Sequence, residues 1–458
     1  MPASPVSSAA PVRFRWHPDA CLHDAAGPSA DPVAAPVVAG QIAPWPPVPA
    51  LCAALALAAD GTAFRIGPGG PVDGDGARQM FKTGDPRPMF ETGDPRPMFE
   101  TGGLRPMFET GGLRPMFETG GLRPMFETLT SGSSGAPRRI RRTQHSWIDS
   151  FEINARLFGI GAGMAVAVLG RLEHSLALYG ALEALHLGAG LHLLAGLRPD
   201  RQVAALAARG IGVLYATPVQ LRLLVEAQAR GLPPVPGLRH VLVGGAKFDP
   251  AARAACKAAF PGATVREFYG AAETSFIALA DNDTPEGAVG RPYPGVEISV
   301  RDDGDTPVPD GTVGRIWVRS PYLFAGYASG AVPGTRWCDN WLTIGEHGAL
   351  CAGQLYLAGR ESRMVTIADQ NVFPEEVEAF LLAQPGVTRA AALARRDARR
   401  GHVLHAVIMG NADANDVLAA CRAGLGPLKA PRRVVMRQDW PLLPSGKTDL
   451  AELERALT

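Results

Sequence analysis

Three features that mark particular classes of protein are scarce in this sequence: paired cysteines, an excess of one charge, and long apolar runs. The six cysteines are scattered, with neither a C-x-x-C pair nor metal-ligand spacing, so we expect reduced thiols rather than a disulfide framework. Lysine plus arginine (45) nearly equals aspartate plus glutamate (44), and the net charge of +1 argues against nucleic acid as a partner.

Segments typical of membrane insertion or export are also missing. The apolar runs at 51–59 and 157–169 are too short or too rich in glycine to span a bilayer. The alanine- and proline-rich start of the chain has no apolar stretch of the signal-peptide type. We therefore expect a cytoplasmic protein with no membrane partner.

The sequence does contain enough apolar residues for a large globular protein. Its 458 residues are 46% hydrophobic, which suits two to three domains. The pattern divides into an alanine- and proline-rich region (1–79), a repetitive region (80–128), a long mixed region (129–358) and a C-terminal region (359–458).

The repetitive region consists of near-identical nine-residue units such as M-F-E-T-G-G-L-R-P. A solenoid would need an apolar face on each unit, and each offers only Met-Phe and sometimes Leu beside Gly and Pro. We therefore interpret 80–128 as a flexible or irregular insert rather than a solenoid.

The segment that follows, 129–142, reads L-T-S-G-S-S-G-A-P-R-R-I-R-R. Its hydroxyls and glycines can present O–H and backbone N–H groups to an anion, which predicts a phosphate-binding loop. Its spacing differs from G-x-x-x-x-G-K-[ST], so a different nucleotide chemistry is indicated. The alternative is a solvated Ser/Gly linker.

Alternating strand and helix patterns after the loop predict layered α/β structure. We expect strands over 138–143, 238–243 and 264–268, and helices over 146–156, 199–209, 219–230 and 249–259. Loops at the carboxyl ends of such strands are where α/β sheets bind ligands.

The last third of the chain has a different residue pattern. Glycine and proline turns between alternating strands over 289–327 predict a small barrel or an antiparallel sheet. From 359 onward, a helix over 374–382 and strands near 390–394 and 403–409 predict a separate small α+β domain.

Several motifs, taken in order, resemble those of the adenylate-forming superfamily: acyl- and aryl-CoA synthetases, peptide-synthetase adenylation domains and luciferases. The resemblance covers 129–458 and rests on the loop 130–138, with Arg138 where the family has Lys; Gly244-Gly245-Ala246; Tyr269-Gly270-Ala271-Ala272-Glu273, with Ala272 where the family has Thr; Gly290-Arg291-Pro292; Ile344-Gly345-Glu346, where the family has T-G-D; Gly359-Arg360, with Ser362 at the pivot position; and P-L-L-P-S-G-K at 441–447. It implies a large N-terminal α/β layered domain with a small β-barrel-like part, a small mobile C-terminal α+β domain, and a shortened, irregular N-terminal third.

The resemblance also assigns roles to individual residues. Nucleotide binding is implied for Thr130, Ser131, Gly132, Ser133, Ser134, Gly135, Arg138, Gly244, Gly245, Ala246, Tyr269, Gly270, Glu346 and Arg360. Tyr269 would stack on adenine, and Glu346 would accept the ribose hydroxyls. Catalysis is implied for Thr130, for Glu273, which would hold Mg²⁺, and for Lys447, which would bridge carboxylate and α-phosphate oxygens. The acyl pocket would include His174, Tyr179 and Val243.

The implied chemistry explains these residue types. Joining a carboxylate to the α-phosphate of ATP brings anions together, so the site needs N–H donors, hydroxyls, a cation and Mg²⁺ where negative charge develops. We expect a ligase that adenylates an acyl or aryl carboxylic acid and passes it to the thiol of coenzyme A or of the phosphopantetheine on an acyl carrier protein. The segment 366–378, T-I-A-D-Q-N-V-F-P-E-E-V-E, resembles ligases of bacterial aryl-polyene pigment pathways.

Simpler interpretations stand beside these. His174 can equally be a histidine at a helix start, and His402 and His405 lack further ligands for a metal. The arginines at 138, 139, 141 and 142 are interpreted as neighbours of the phosphate loop and one solvated strand face rather than as a nucleic-acid patch. The departures at Ala272, Ile344 and Ser362 leave open a non-catalytic nucleotide-binding or scaffolding member of the superfamily.

Overall fold

The fold is that of a computed structural model. It describes residues 13–15, 17–24, 27–28, 64–67, 70–72, 125–129, 138–172, 174–246, 248, 250–328, 332–443, 448–455 and 457. The loop residues from Thr130 to Gly135, and Lys447, lie outside the described residues, so their predicted roles stay predictions.

The strands are β1 Cys21–Asp24, β2 Gly27–Pro28, β3 Phe64–Gly67, β4 Gly70–Val72, β5 Met125–Leu129, β6 Arg139–Thr143, β7 Ala165–Val168, β8 Gly190–Leu193, β9 Val213–Ala216, β10 His240–Val243, β11 Thr264–Ala271, β12 Ser275–Ala280, β13 Arg291–Pro292, β14 Glu297–Arg301, β15 Gly314–Arg319, β16 Gly326–Tyr327, β17 Arg336–Cys338, β18 Trp341–Thr343, β19 Glu346–Cys351, β20 Gln354–Arg360, β21 Val365–Ile367, β22 Gln370–Val372, β23 Val387–Asp397, β24 Gly401–Gly410 and β25 Arg433–Arg437. The helices are α1 His145–Phe158, α2 Ser175–Leu187, α3 Pro199–Ala208, α4 Pro218–Gln228, α5 Pro250–Ala259, α6 Pro374–Leu382, α7 Ala414–Lys429 and α8 Leu450–Arg455.

A nine-stranded sheet of order β13-β12-β11-β10-β9-β7-β8-β1-β2 organises the large domain. The strands from β11 to β1 are parallel, and β12, β13 and β2 add antiparallel edges. Successive side chains of a strand point to opposite faces. Accordingly Val213 and Tyr215 join the core that contains α1 and α2, whereas Leu214 joins the core that contains α3, α4 and α5. The predicted α/β layering is confirmed.

The repetitive region ends inside a second sheet, of order β16-β6-β5-β3-β4. Strand β5 is the last M-F-E-T of the repeats followed by Leu129, and it pairs antiparallel with β6. Phe126 is fully buried against Phe14 and Trp147, with ring centroids 5.2 and 4.7 Å apart. The expectation of an irregular insert is therefore wrong for 125–128. Residues 80–124 lie outside the described residues.

The arginines of β6 do not form a solvated face, contrary to the sequence-based expectation. Arg141 and Arg142 are 8% and 1% exposed, since Glu127 lies against Arg141, and Trp147, Ser275 and Tyr322 surround the Arg142 guanidinium. The Arg141 Nε–H donates to Glu127 Oε1 at 3.1 Å. Neighbouring residues on this strand therefore place two positive charges inside the fold.

The region after 289 forms an open six-stranded sheet, β17-β18-β15-β19-β20 with β14 paired to β15. The antiparallel alternative is thus confirmed, and the sheet is not a closed barrel. Beyond it, β23, β24 and β25 pack with α6 and α7 around a separate core that includes Val377, Leu381 and Ile408. Helix α6 has the predicted bounds, because Pro374 fixes the start of the helix and acidic residues follow in its first turn.

Within the described part of the chain, every helix is too short or too polar to cross a lipid bilayer.

Candidate active site

A cavity of about 1140 Å³ opens at the carboxyl ends of the parallel strands. Its lining includes residues within three positions after these strands: Leu169 and Gly170 after β7, Ala195 and Gly196 after β8, Thr217 after β9, Gly245 after β10, and Ala272 and Glu273 after β11. This is the position predicted for a ligand site in an α/β sheet. The cavity has two ends of different chemistry.

The first end, which we call the charged rim, comprises Arg138, Glu273, Tyr327, Glu346 and Arg360. The Tyr327 hydroxyl donates to Glu273 Oε1 at 2.8 Å. Burial and the nearby Glu273 carboxylate raise the pKa of Tyr327, so this hydroxyl keeps its proton and remains a donor. The backbone oxygen of Glu273 accepts the N–H of Phe324 at 2.8 Å, which anchors the turn that carries the carboxylate.

Glu346 and Arg360 form the other half of the charged rim. They lie opposite each other on the paired strands β19 and β20. Nε and Nη2 of Arg360 approach Glu346 Oε1 at 3.1 and 3.0 Å, so both contacts fall on the same carboxylate oxygen. Glu346 is 7% exposed, yet it lines the cavity. The ion pair thereby holds the carboxylate in place.

The second end, which we call the aromatic wall, comprises Trp147, Tyr179, Tyr215, Phe268 and Phe276. Tyr179 contacts both Trp147 and Phe276 edge-on, with ring centroids 5.1 Å apart in each case, and Phe268 lies 4.9 Å from Phe276. Such packed rings form a rigid apolar surface.

A buried polar network lies directly behind the aromatic wall. The Tyr215 hydroxyl donates to Glu183 Oε2, and Asn154 Nδ2 donates to Glu183 Oε1 at 2.8 Å. Glu183 is fully buried, and burial raises its pKa to about 8. No arginine or lysine of the described residues forms an ion pair with it. The carboxyl group is therefore largely protonated near neutral pH and acts as a structural hydrogen-bonding group.

Two glycines of the predicted motifs are required because other atoms lie where a Cβ would be. A Cβ on Gly270 would lie 1.8 Å from the backbone oxygen of Ser275, so only glycine permits the turn between β11 and β12. A Cβ on Gly244 would lie 2.2 Å from the Phe268 ring. The sequence G-G therefore lets the aromatic wall pack against the end of β10.

The structure brings most of the predicted residues that it describes to this cavity. The lining includes Arg138, His174, Tyr179, Gly245, Gly270, Glu273, Glu346 and Arg360, together with Ser362 at the predicted pivot. His174 lines the cavity and is the N-cap of α2, as the simpler interpretation expects, and its role at an acyl pocket stays a prediction.

The remaining described candidates lie elsewhere. Val243 is fully buried in the core on the α3–α5 side of the sheet and does not line the cavity. Gly244 is buried and Ala246 exposed, and neither is part of the lining. The Tyr269 ring packs against the core that contains α1 and α2, and its hydroxyl has no partner among the described residues.

Sequence reasoning missed several residues of the site. Trp147, Tyr215, Ser275 and Tyr327 line the cavity but belong to no motif quoted above. Two of them have a positional signal in the sequence: Tyr215 is the penultimate residue of a buried strand, and Ser275 lies two residues after Glu273. His402 and His405, three residues apart on β24, point to opposite faces and do not converge.

Comparisons with known proteins agree with this geometry. Residues 121–328 match the AMP-binding enzyme family, and residues 376–447 match the AMP-binding enzyme C-terminal domain. The chain is 34% identical to the uncharacterized acyl–CoA ligase YhfT of Bacillus subtilis (strain 168), over 72% of this chain and 67% of that protein. It is 30% identical to a salicylyl-CoA synthase / salicylate adenylyltransferase of a Streptomyces species, over 71% of this chain and 61% of that protein.

Among solved structures, the amide bond synthetase McbA from Marinactinospora thermotolerans superposes with a TM-score of 0.65 at 28% identity. The match covers 73% of this chain and 68% of McbA. The chain thus spans about two thirds of the length of the relatives it matches.

Proposed function

The chain belongs to the family of AMP-binding enzymes, and from this premise we propose that it uses ATP to adenylate an acyl or aryl carboxylic acid and then transfers the acyl group to a thiol. The observation that carries the proposal is the continuity of one cavity from the charged rim to the aromatic wall. A polyanionic nucleotide suits the charged rim, an apolar acid suits the aromatic wall, and the reaction needs both ligands in one cavity.

The first step joins the acid to the nucleotide. A carboxylate oxygen attacks the α-phosphorus of ATP, the new O–P bond forms, and pyrophosphate leaves. Arg138 at the charged rim supplies positive charge there, and Lys447 is proposed to add an ammonium group at the reacting oxygens. The serine- and glycine-rich loop at 130–135 is proposed to hold the phosphates through N–H and O–H donors.

Mg²⁺ is proposed to be held through Glu273. Mg²⁺ is commonly bound by one or two carboxylates together with substrate phosphates rather than by an all-protein cage. The described residues contain no cluster of three metal-ligating side chains, but Glu273 lines the cavity and one of its oxygens is already held by Tyr327. A single oriented carboxylate fits that mode, and bound Mg²⁺ would neutralise phosphate charge.

Glu346 is proposed to accept the ribose hydroxyls. Two contacts from Arg360 to Oε1 hold this carboxylate, and Glu346 lines the cavity. In the second step, a thiol sulfur attacks the acyl carbon and AMP leaves. The proposed thiol belongs to coenzyme A or to carrier-protein phosphopantetheine. McbA, an amide bond synthetase, makes an amine the alternative acceptor to test.

The test is acid-dependent ATP–pyrophosphate exchange on the full chain with a panel of benzoate, salicylate, hexanoate and octanoate, followed by acceptor assays with coenzyme A, a phosphopantetheinylated carrier protein and a primary amine. Exchange with at least one acid, and product with a thiol acceptor, is expected. Exchange with product from the amine alone would replace the acceptor in the proposal. No exchange with any acid would favour the non-catalytic nucleotide-binding alternative.

A further inference from the structure

Ser275 lies at the junction between the charged rim and the aromatic wall. It is the first residue of β12, two residues after Glu273 and directly before Phe276, and all three line the cavity. Its φ of 56° is in the left-handed region, which residues other than glycine seldom adopt. The Thr274 hydroxyl accepts the Ala271 N–H at 3.1 Å and fixes this turn.

The Ser275 hydroxyl accepts two hydrogen bonds from protein side chains. Arg142 Nη2 donates to Ser275 Oγ at 2.6 Å, and Trp147 Nε1 donates to the same atom at 3.2 Å. A hydroxyl has two acceptor lone pairs and one hydrogen. Because both lone pairs are used, the O–H can act only as a donor. It has no acceptor among the described residues, and Ser275 lines the cavity, so an acceptor within the cavity can take this bond.

Arg142 makes that hydroxyl a strong donor. The guanidinium is 1% exposed, donates to the Tyr322 backbone oxygen at 3.0 and 2.9 Å, and lies over the Trp147 ring. Within the described residues no carboxylate accepts a hydrogen bond from it, and its Nε has no partner. A hydroxyl that accepts from a cation is polarised and donates more strongly to an anion.

Electrostatics around Arg142 also favour an anion in the cavity. Burial lowers the pKa of Arg142 to about 9, and the negative charge of Glu273 opposes this shift. The group is therefore still charged at neutral pH but poorly compensated. A buried cation without direct ion pairing is costly, and an anion placed one hydroxyl away reduces that cost.

We propose that Ser275, positioned by Arg142 and Trp147, donates its O–H to the carboxylate of the acid substrate and, after adenylation, to the acyl carbonyl oxygen. This inference rests on the proposed function and adds a specific catalytic contact to it. The α-phosphate of ATP is the other anion that could take the same bond, so the test separates the two.

The test compares Ser275→Ala, Ser275→Gly and the control Ser299→Ala in pyrophosphate exchange. Ser299 on β14 also accepts an arginine N–H, from Arg301 at 3.2 Å, but lies outside the cavity lining. Loss of a hydrogen bond to a charged group corresponds to a weakening of about 10- to 100-fold. We expect the KM for the best panel acid to rise by that factor in both Ser275 variants, the KM for ATP to change less than about threefold, and the control to match the parent.

Glycine accepts the left-handed φ without strain, so equal losses in the alanine and glycine variants assign the effect to the hydroxyl. If Ser275→Ala does not fold, Ser275→Gly carries the test alone. A rise in the KM for ATP alone would assign the hydroxyl to the nucleotide and overturn the inference, as would unchanged constants.

If the parent shows no exchange with any acid, the proposed function fails. The inference about Ser275 is then tested separately, by the rise in melting temperature that benzoate and benzamide each produce. Greater stabilisation by benzoate than by benzamide, abolished in Ser275→Gly and kept in Ser299→Ala, would still support a carboxylate site. The inference would be overturned if benzoate and benzamide stabilised the parent equally, or if neither stabilised it.

Discussion

The two ends of the cavity hold carboxyl groups in opposite situations. Behind the aromatic wall, Glu183 is partnered by a hydroxyl and an amide, and burial raises its pKa to about 8. Next to the charged rim, Glu361 is partnered by Arg315 through two hydrogen bonds, and these lower its pKa. The same functional group is thus largely neutral at one end and ionised at the other.

This difference indicates that the two ends of the cavity have different roles. A neutral carboxyl in a closed network supports the shape of the aromatic wall, whereas ionised groups at the rim are suited to stabilising charge in the proposed reaction. Changes at the rim should therefore alter reaction rate or nucleotide affinity, and changes behind the wall should alter stability more than rate.

The largest expected effect comes from a residue proposed to act at the rim. Lys447→Ala should lower adenylation about 100- to 1000-fold, because it removes a cation from the oxygens where charge develops, while a supplied acyl-adenylate is still transferred to the thiol. Pyrophosphate exchange and single-turnover thiolation measure the two steps. Lys429→Ala, which removes a lysine ion-paired with Glu376, is the control and should leave both steps unchanged. Equal loss in both half-reactions would contradict the role.

Within the rim itself, Glu346→Ala should raise the KM for ATP by about 10-fold or more, since it removes the proposed ribose acceptor and leaves Arg360 without this carboxylate. The KM for the acid should change little. Glu297→Ala, which breaks an exposed ion pair with Arg319, serves as the control. An increase in the KM for the acid as large as that for ATP would show that Glu346 supports the whole cavity.

Behind the wall, Glu183→Gln should change stability in a pH-dependent way. The folded-state pKa of about 8 lies above the ordinary 4.5, so the parent loses stability as pH rises between these values. Glutamine carries no charge; its oxygen can accept from Asn154 Nδ2, and its Nε2–H can donate to the Tyr215 hydroxyl in place of the bond that Tyr215 donates in the parent. The variant should therefore gain stability relative to the parent by about 2–4 kcal/mol between pH 5 and 8, with exchange activity within about tenfold.

Urea unfolding at the two pH values measures this difference. The exposed Glu226 on α4 provides the matched control, and Glu226→Gln should shift stability equally at both pH values. A pH-independent difference for Glu183→Gln would mean that the buried carboxyl is ionised throughout.

The smallest effect is expected from the repeats at 80–124, which lie outside the described residues. Deleting 89–124 rejoins the first unit to β5 and should leave exchange within a few-fold, since lengthening or shortening a loop changes closure free energy by only about 0.6 kcal/mol per doubling. Phe117→Ala should likewise be neutral. The equivalent Phe126→Ala in β5 should cost about 3–5 kcal/mol, because Phe126 supports Trp147 of the aromatic wall. A collapse of ATP affinity in the deletion would place the repeats within the active-site structure.

Local pattern was sufficient to predict the layered α/β fold, the bounds of α6 and the carboxyl-end position of the site. These features depend on hydrophobic periodicity, on Pro374 at a helix start and on the rule that parallel strands expose their loops at one edge. Glu273, Glu346 and Arg360 are named by the resemblance to motifs of adenylate-forming enzymes rather than by local pattern, and the structure places all three in the cavity lining.

The burial of Arg142 and the role of Ser275 could not be derived from local pattern. Alternation along β6 is compatible with a solvated face, and only residues from other segments, Trp147, Ser275 and Tyr322, cover the Arg142 side chain. Likewise, Arg142, Trp147 and Ser275 meet because two sheets and α1 converge. Contacts between residues far apart in the chain depend on the packing of whole elements, so tertiary structure decides which polar groups are buried and what they face.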